Sequence, residues 1–327
     1  MLALVWSFSP FFFLVVLGSL AVRARWVPAD GLGALTAFVL YLAMPALLFR
    51  LGASGALHQS GLGGLLVAYG AGGAVVLGLA LWWATRRHLG RLDAGLAGLV
   101  TVFPNTGFLG LPLLTGLLGP KAAGPLVATL LVDVVLFSSF CLAWAHSAGQ
   151  AGDAGPLRAA MASLRGALRN PLLWGMGLGM AWGQTGLAVA TPVDETLRLL
   201  GLAATPAALF TLGGILVRPV KPDAEAAAHR PLNLPALMVP ATLKLLLHPA
   251  LVWACAWQLG LPAQGLGAAT LIMAAALPSA SNVSMLAERE GARTPAVPRI
   301  ILLSTALAVI SLACWAQALG LTPTSPP

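Results

Sequence analysis

Two proline interruptions inside apolar stretches narrow the folds open to this chain more than any other feature. The first is Val102-Phe103-Pro104-Asn105-Thr106-Gly107-Phe108-Leu109-Gly110-Leu111-Pro112, and the second is Ala276-Leu277-Pro278-Ser279-Ala280-Ser281-Asn282. Each sits in an apolar run long enough to cross a bilayer, which takes about 20 residues. A helix broken at membrane depth frees N–H and C=O groups that hydrocarbon cannot satisfy. Such a break persists only where protein or a water-filled cavity meets those groups. Paired interruptions in corresponding places of two halves are the pattern from which secondary transporters build a binding site.

Composition agrees that the solvent is a membrane. Of 327 residues, 58% are hydrophobic and 9% charged, with a mean hydropathy of +0.88. A soluble domain carries about 25% charged residues. The pI near 10.5 raises the question of nucleic acid, but the basic residues lie in short gaps between apolar spans and form no compact basic domain, which excludes that partner. Cys141, Cys255 and Cys314 fall inside apolar spans without metal-ligand or CxxC spacing and read as small hydrophobes. The first apolar run lacks a basic region ahead of it, since Arg23 and Arg25 follow it, so residues 6–22 read as a retained span and not a signal peptide.

The pattern predicts an all-α polytopic protein of ten transmembrane helices, near 6–22, 31–51, 61–84, 93–118, 121–146, 167–184, 195–216, 233–259, 265–288 and 296–319. Fourteen of the eighteen Lys and Arg residues fall in alternate gaps, among them Arg86, Arg87, Arg91, Arg158, Arg165, Arg169, Arg218, Lys221 and Arg230. The positive-inside rule then puts those gaps in the cytoplasm and both termini outside it, in a multi-pass protein of the inner (plasma) membrane. A shift of 161 positions carries Pro10, Gly18, Pro45, Ala46, Phe49 and Gly52 onto Pro171, Gly179, Pro206, Ala207, Phe210 and Gly213. Two five-helix repeats, 1–146 and 167–327, joined by a cytoplasmic linker at 147–166, explain this. Five is odd, so the copies insert with opposite orientation.

Asn105 and Asn282 place amide donors beside the interruptions, and Thr106, Ser279 and Ser281 place hydroxyls there. The helix N-termini that follow each break add free N–H groups and partial positive charge, suited to a carboxylate. The same side chains are also good helix caps, and the two roles are compatible. Lys244 falls about ten residues into its span, roughly 15 Å deep at 1.5 Å per residue. A cation there must face the protein interior, where it serves either to attract an anion, to exchange a proton or to pair structurally. His248 follows one turn later on the same face. Asp133 is the one acidic residue deep within a span, a candidate proton or cation site or else a helix-to-helix hydrogen-bond partner. Gly-rich spans permit close helix packing. No Walker, HExxH, Ser/His/Asp or Cys/His metal pattern is present, so neither a cofactor nor an enzyme activity is expected.

Pro104-Asn105-Thr106-x-x-x-Gly110-Leu111-Pro112-Leu113-Leu114 resembles the fourth-span motif of the auxin efflux carrier family, which includes plant PIN-type carriers and bacterial permeases for malate or malonate. Leu277-Pro278-x-x-x-Asn282, Leu286–Gly291 and Leu303-Ser304-Thr305 are similar to its ninth and tenth spans, and Ala43–Phe49 to its second. The resemblance implies a ten-span fold whose broken fourth and ninth helices cross at the midplane around Pro104, Pro112 and Pro278. It also implies transport of a small organic anion and a homodimer. Two alternatives stay open. One is a sodium- or proton-coupled symporter or exchanger, in which Na+ or H+ is bound at the breaks. The other is a membrane sensor without transport.

Overall fold

A computed structural model describes residues 2–54, 62–146, 171–217, 234–290 and 296–321. Among them the regular structure is helical, apart from one isolated bridge between two extended segments. In chain order the helices are α1 (Leu2–Arg23), α2 (Leu32–Ala53), α3 (Leu62–Arg86), α4 (Arg91–Val102), α5 (Thr106–Leu118), α6 (Pro120–Ala145), α7 (Pro171–Gln184), α8 (Thr191–Val217), α9 (Ala236–Gln258), α10 (Leu266–Ala276), α11 (Asn282–Arg289) and α12 (Ala296–Ala318). Six of them, α2, α3, α6, α8, α9 and α12, are long and apolar enough to cross a membrane. The linker expected at 147–166, and the basic residues Arg158, Arg165, Arg169, Arg218, Lys221, Arg230 and Arg293, lie outside the described residues.

Prolines shape these helices from within. Three spans carry a widened π-helical turn, Val39–Ala43, Thr106–Gly110 and Leu243–Leu247, and each ends two residues before a proline: Pro45, Pro112 and Pro249. Proline offers no N–H, and its ring pushes away the carbonyl one turn back. The preceding turn therefore widens and pairs five residues apart. A fourth wide turn, Val132–Phe137, contains no proline. There the carbonyl of Asp133 accepts both the backbone N–H of Ser138 and its hydroxyl, at 3.0 Å for the latter.

Glycines stitch the bundle together where backbones touch. A Cβ on Gly18 of α1 would strike the carbonyl oxygen of Phe210 on α8, and one on Gly213 would strike that of Val15. In the neighbouring seam, a Cβ on Gly179 of α7 would strike the carbonyl oxygen of Phe49 on α2, and one on Gly52 would come 2.9 Å from that of Met176. The two seams are the same contacts shifted by 161 positions: 18 with 210 becomes 179 with 49, and 213 with 15 becomes 52 with 176. Small residues that admit such close approach drive helix association in hydrocarbon, where burying apolar surface gains nothing. Arg50 near the end of α2 also reaches Asp194 at the start of α8, with Nε–Oδ1 at 2.8 Å.

Outward faces are apolar, as lipid contact requires: Phe13 is 64% exposed and Tyr41 66%. Where α3 gives way to α4, Arg86, Arg87 and Arg91 stack over Trp82, Trp83 and Trp144 at 5.4, 5.9 and 5.7 Å, amphipathic pairs suited to a headgroup layer. Gly18→Ala or Gly213→Ala should force α1 off α8 and cost at least about 1–3 kcal/mol, seen as a lower melting temperature of the detergent-solubilised protein. Gly78→Ala, where a Cβ meets open space, should leave melting unchanged or raise it.

Candidate functional site

The two interruptions meet. Helix α4 stops at Val102 and the chain resumes as α5 at Thr106, while α10 stops at Ala276 and resumes as α11 at Asn282. The backbone N–H of Asn105 donates to the carbonyl of Pro278 at 2.8 Å, and that of Ala280 donates to the carbonyl of Phe103 at 3.0 Å. Pro104 and Ser279 face each other across this short antiparallel bridge. Groups that proline freed in one segment are thereby satisfied by the other, as a low-dielectric interior demands. Gly110 lets α5 press onto the second segment, since a Cβ there would come 2.5 Å from Leu277.

Around the bridge, several polar atoms are buried and unanswered. Asn105 is 3% exposed and caps α5: its Oδ1 accepts from Phe108 N–H at 3.3 Å and its backbone carbonyl from Leu109 and Gly110. Its Nδ2 donors have no protein partner. The hydroxyls of Thr106 and Ser279, 3% and 0% exposed, also lack partners, although the Ser279 N–H is taken by Ser304 Oγ at 3.1 Å. Thr211 of α8, a helix packed against the Thr106–Gly110 turn, has an equally buried and unpartnered hydroxyl. A buried donor left unbonded costs about 1–3 kcal/mol. Several beside one helix N-terminus are unusual unless something else occupies them.

Lys244 lies on the opposite, carbonyl side of the same breaks. Its ammonium is fully buried and donates to Val102 O at 3.2 Å, the last carbonyl of α4, and to Ala275 O at 3.1 Å, in the last turn of α10. Its third contact is His248 Nδ1 at 3.3 Å. One cation thus closes two helix C-termini, where carbonyls lack intrahelical partners and the dipoles are negative. An ammonium has three donors, and all three are engaged here.

Asp133 is fully buried and accepts from the Tyr69 hydroxyl at 2.9 and 3.2 Å. It forms no direct ion pair with Lys244. The two are linked through rings: Tyr69 packs on His248 with centroids 5.5 Å apart, and His248 meets Lys244. Because Nδ1 of His248 accepts from the ammonium, the ring proton belongs on Nε2, which is buried and has no partner. Tyr69 was not foreseen from sequence, although a mid-span hydroxyl far from either interface is a signal.

The second interruption is less symmetric than its sequence suggests. Ser281 is buried, but Asn282 is exposed and opens α11. Five residues separate α10 from α11, against three between α4 and α5. The position facing the first break is therefore Ser279, and Asn282 falls beyond the bridge.

Residues 4–316 match the family model described as membrane transport protein. The chain belongs to that family. Membership agrees with the likeness to auxin efflux carriers carried by Pro104–Leu114 and the Leu277–Thr305 region. Among curated relatives, a protein of Rhizobium meliloti (strain 1021) named "Putative malonate transporter" is 28% identical over 307 residues, covering 93% of this chain and 92% of its own length. An "Uncharacterized transporter" of Methanothermobacter thermautotrophicus is 27% identical over 251 residues, 74% of this chain and 73% of its own. The Lys244 tie joins the ends of α4 and α10 where the two interruptions meet. Lys244→Met keeps the side-chain length but strands two buried carbonyls. It should destabilise the protein by on the order of 3 kcal/mol, measured as an earlier thermal transition in detergent, whereas unchanged melting would mean the tie is not structural.

Proposed function

We propose that this chain is a secondary transporter of small organic anions, carboxylates above all, which bind at the crossover of α4–α5 with α10–α11. The observation that carries the reading is the set of buried, unanswered donors at Asn105 Nδ2, Thr106 Oγ1 and Ser279 Oγ beside the backbone bridge. Donors without acceptors, at the start of a helix whose dipole is positive, recognise an anion. Thr211 adds a donor from α8, and Ser281 lines the second segment. Lys244 supports the site from behind, lending positive charge through the backbone it holds. The malonate in the name of the Rhizobium relative makes malonate the first substrate to try.

The architecture we propose is the inverted repeat: ten spans in two five-helix halves, 1–146 and 167–327, with α4–α5 and α10–α11 as the broken fourth and ninth. The matching glycine seams, α1 on α8 and α7 on α2, support it. In this arrangement alternating access moves the crossover relative to the seams, and both termini lie outside the cytoplasm.

A carboxylate panel tests the site without assuming a direction of transport, because a ligand that binds only the folded state raises its apparent stability. Malonate should raise the melting temperature of the purified wild type, and Asn105→Ala should abolish both that shift and transport in proteoliposomes while folding normally. Stabilisation by sodium alone would favour cation binding at the breaks instead. Normal malonate transport by Asn105→Ala would remove Asn105 from the site.

A further inference from the structure

The buried charges around the crossover do not match the charge of the proposed cargo. Lys244 is the one fully buried cation and Asp133 the one fully buried carboxylate among the described residues. They are joined by Tyr69 and His248 and not by direct contact. With both ionised the unloaded core is neutral. A carboxylate arriving at Asn105 and Ser279 adds a second anion to a region with a single cation, and desolvated charge without a counter-charge is the costliest arrangement a protein interior offers.

We propose that Asp133 takes up one proton each time a carboxylate binds, so that the protein couples anion transport to protons. This inference rests on the anion-transport reading above. The step forms one O–H bond on an Asp133 carboxyl oxygen with a proton from water on the side of entry, and breaks that bond when the cargo leaves on the other side. The loaded core then holds the Lys244 ammonium, a neutral Asp133 and a cargo bearing one negative charge, which for malonate is the form with one carboxyl protonated, and is neutral again. Both states that must cross the membrane carry no net charge in the core.

The geometry provides the communication. Lys244 grips carbonyls that immediately precede the two interruptions, so an anion on the amide side of those segments and Asp133 behind Tyr69 and His248 draw on the same ammonium. Asp133 has one donor, the Tyr69 hydroxyl, where a permanently ionised buried carboxylate normally gathers several. Among the described residues it also sits in the one wide helical turn that no proline explains, and such turns gather at functional sites. Other titratable or charged groups on the packed helices stand apart. Cys141 lies two turns further along α6, while Arg86, Arg91, Asp93, Lys121 and Arg299 occupy helix ends. Helix α10 contributes none.

The test is a stoichiometry in proteoliposomes, using radiolabelled malonate and an entrapped pH-sensitive dye at fixed external pH. Wild type should take up malonate with net proton entry, and Asp133→Asn should take it up too while carrying one proton fewer per malonate. Comparing the two chains removes any proton that malonate itself brings. Tyr69→Phe keeps the carboxyl and strips its hydrogen bond, so it should keep the wild-type ratio and alter the pH dependence of uptake. That second variant keeps the proposal exposed should Asp133→Asn fold poorly. Equal ratios in wild type and Asp133→Asn, an unaltered pH profile in Tyr69→Phe, or uptake driven by sodium without proton entry would overturn the coupling while leaving anion transport standing. Absence of malonate uptake in wild type would instead overturn the anion reading, and the coupling with it.

Discussion

One ammonium group between two helix ends is the contact on which the rest of this structure depends. The breaks at Pro104 and Pro278 expose backbone on both sides, and the bilayer leaves no water to cover it. On the carbonyl side, Lys244 satisfies Val102 and Ala275 together. On the amide side, the two segments satisfy each other through Asn105 N–H to Pro278 and Ala280 N–H to Phe103. With the backbone settled, the side chains of Asn105, Thr106 and Ser279 are left with donors to spare. A chain that could not pair its two breaks would have to use those side chains for repair.

A second constraint follows from the solvent. In lipid, helices gain little by hiding apolar surface from water, so tight packing and backbone proximity must hold them. The glycine seams of α1 with α8 and of α7 with α2 bring backbones into contact, while the buried ionisable groups sit on α3, α6 and α9. Asp133, Tyr69, His248 and Lys244 come from three different helices. Each would be costly alone, and together they satisfy most of one another's needs.

The sequence made some of this legible and hid the rest for identifiable reasons. Apolar run length located the helices closely: a span expected at 61–84 is Leu62–Arg86, and one at 296–319 is Ala296–Ala318. Proline marked both breaks, and the 161-position repeat marked the residues that form the glycine seams. Hydropathy alone implied that Lys244 and Asp133 face inward. The acceptors of Lys244 were not legible, because backbone carbonyls carry no side-chain signature. Asn282 paired with Asn105 as the asparagine beside the second interruption, yet the longer second interruption placed Ser279 opposite the first break and left Asn282 exposed. The wide turn at Asp133 has no proline to announce it, and Tyr69 and Thr211 lie in stretches where one polar residue among many apolar ones reads as incidental.

In the transport cycle proposed here, the cargo occupies the crossover as access alternates between the two sides. This is tested most directly by Ser279→Cys in a chain otherwise free of cysteine, labelled in sealed membranes of each orientation with a membrane-impermeant maleimide. The introduced thiol should be reached from both sides of the membrane, and malonate should protect it from both. Labelling from one side only, or labelling indifferent to every carboxylate tried, would contradict that cycle.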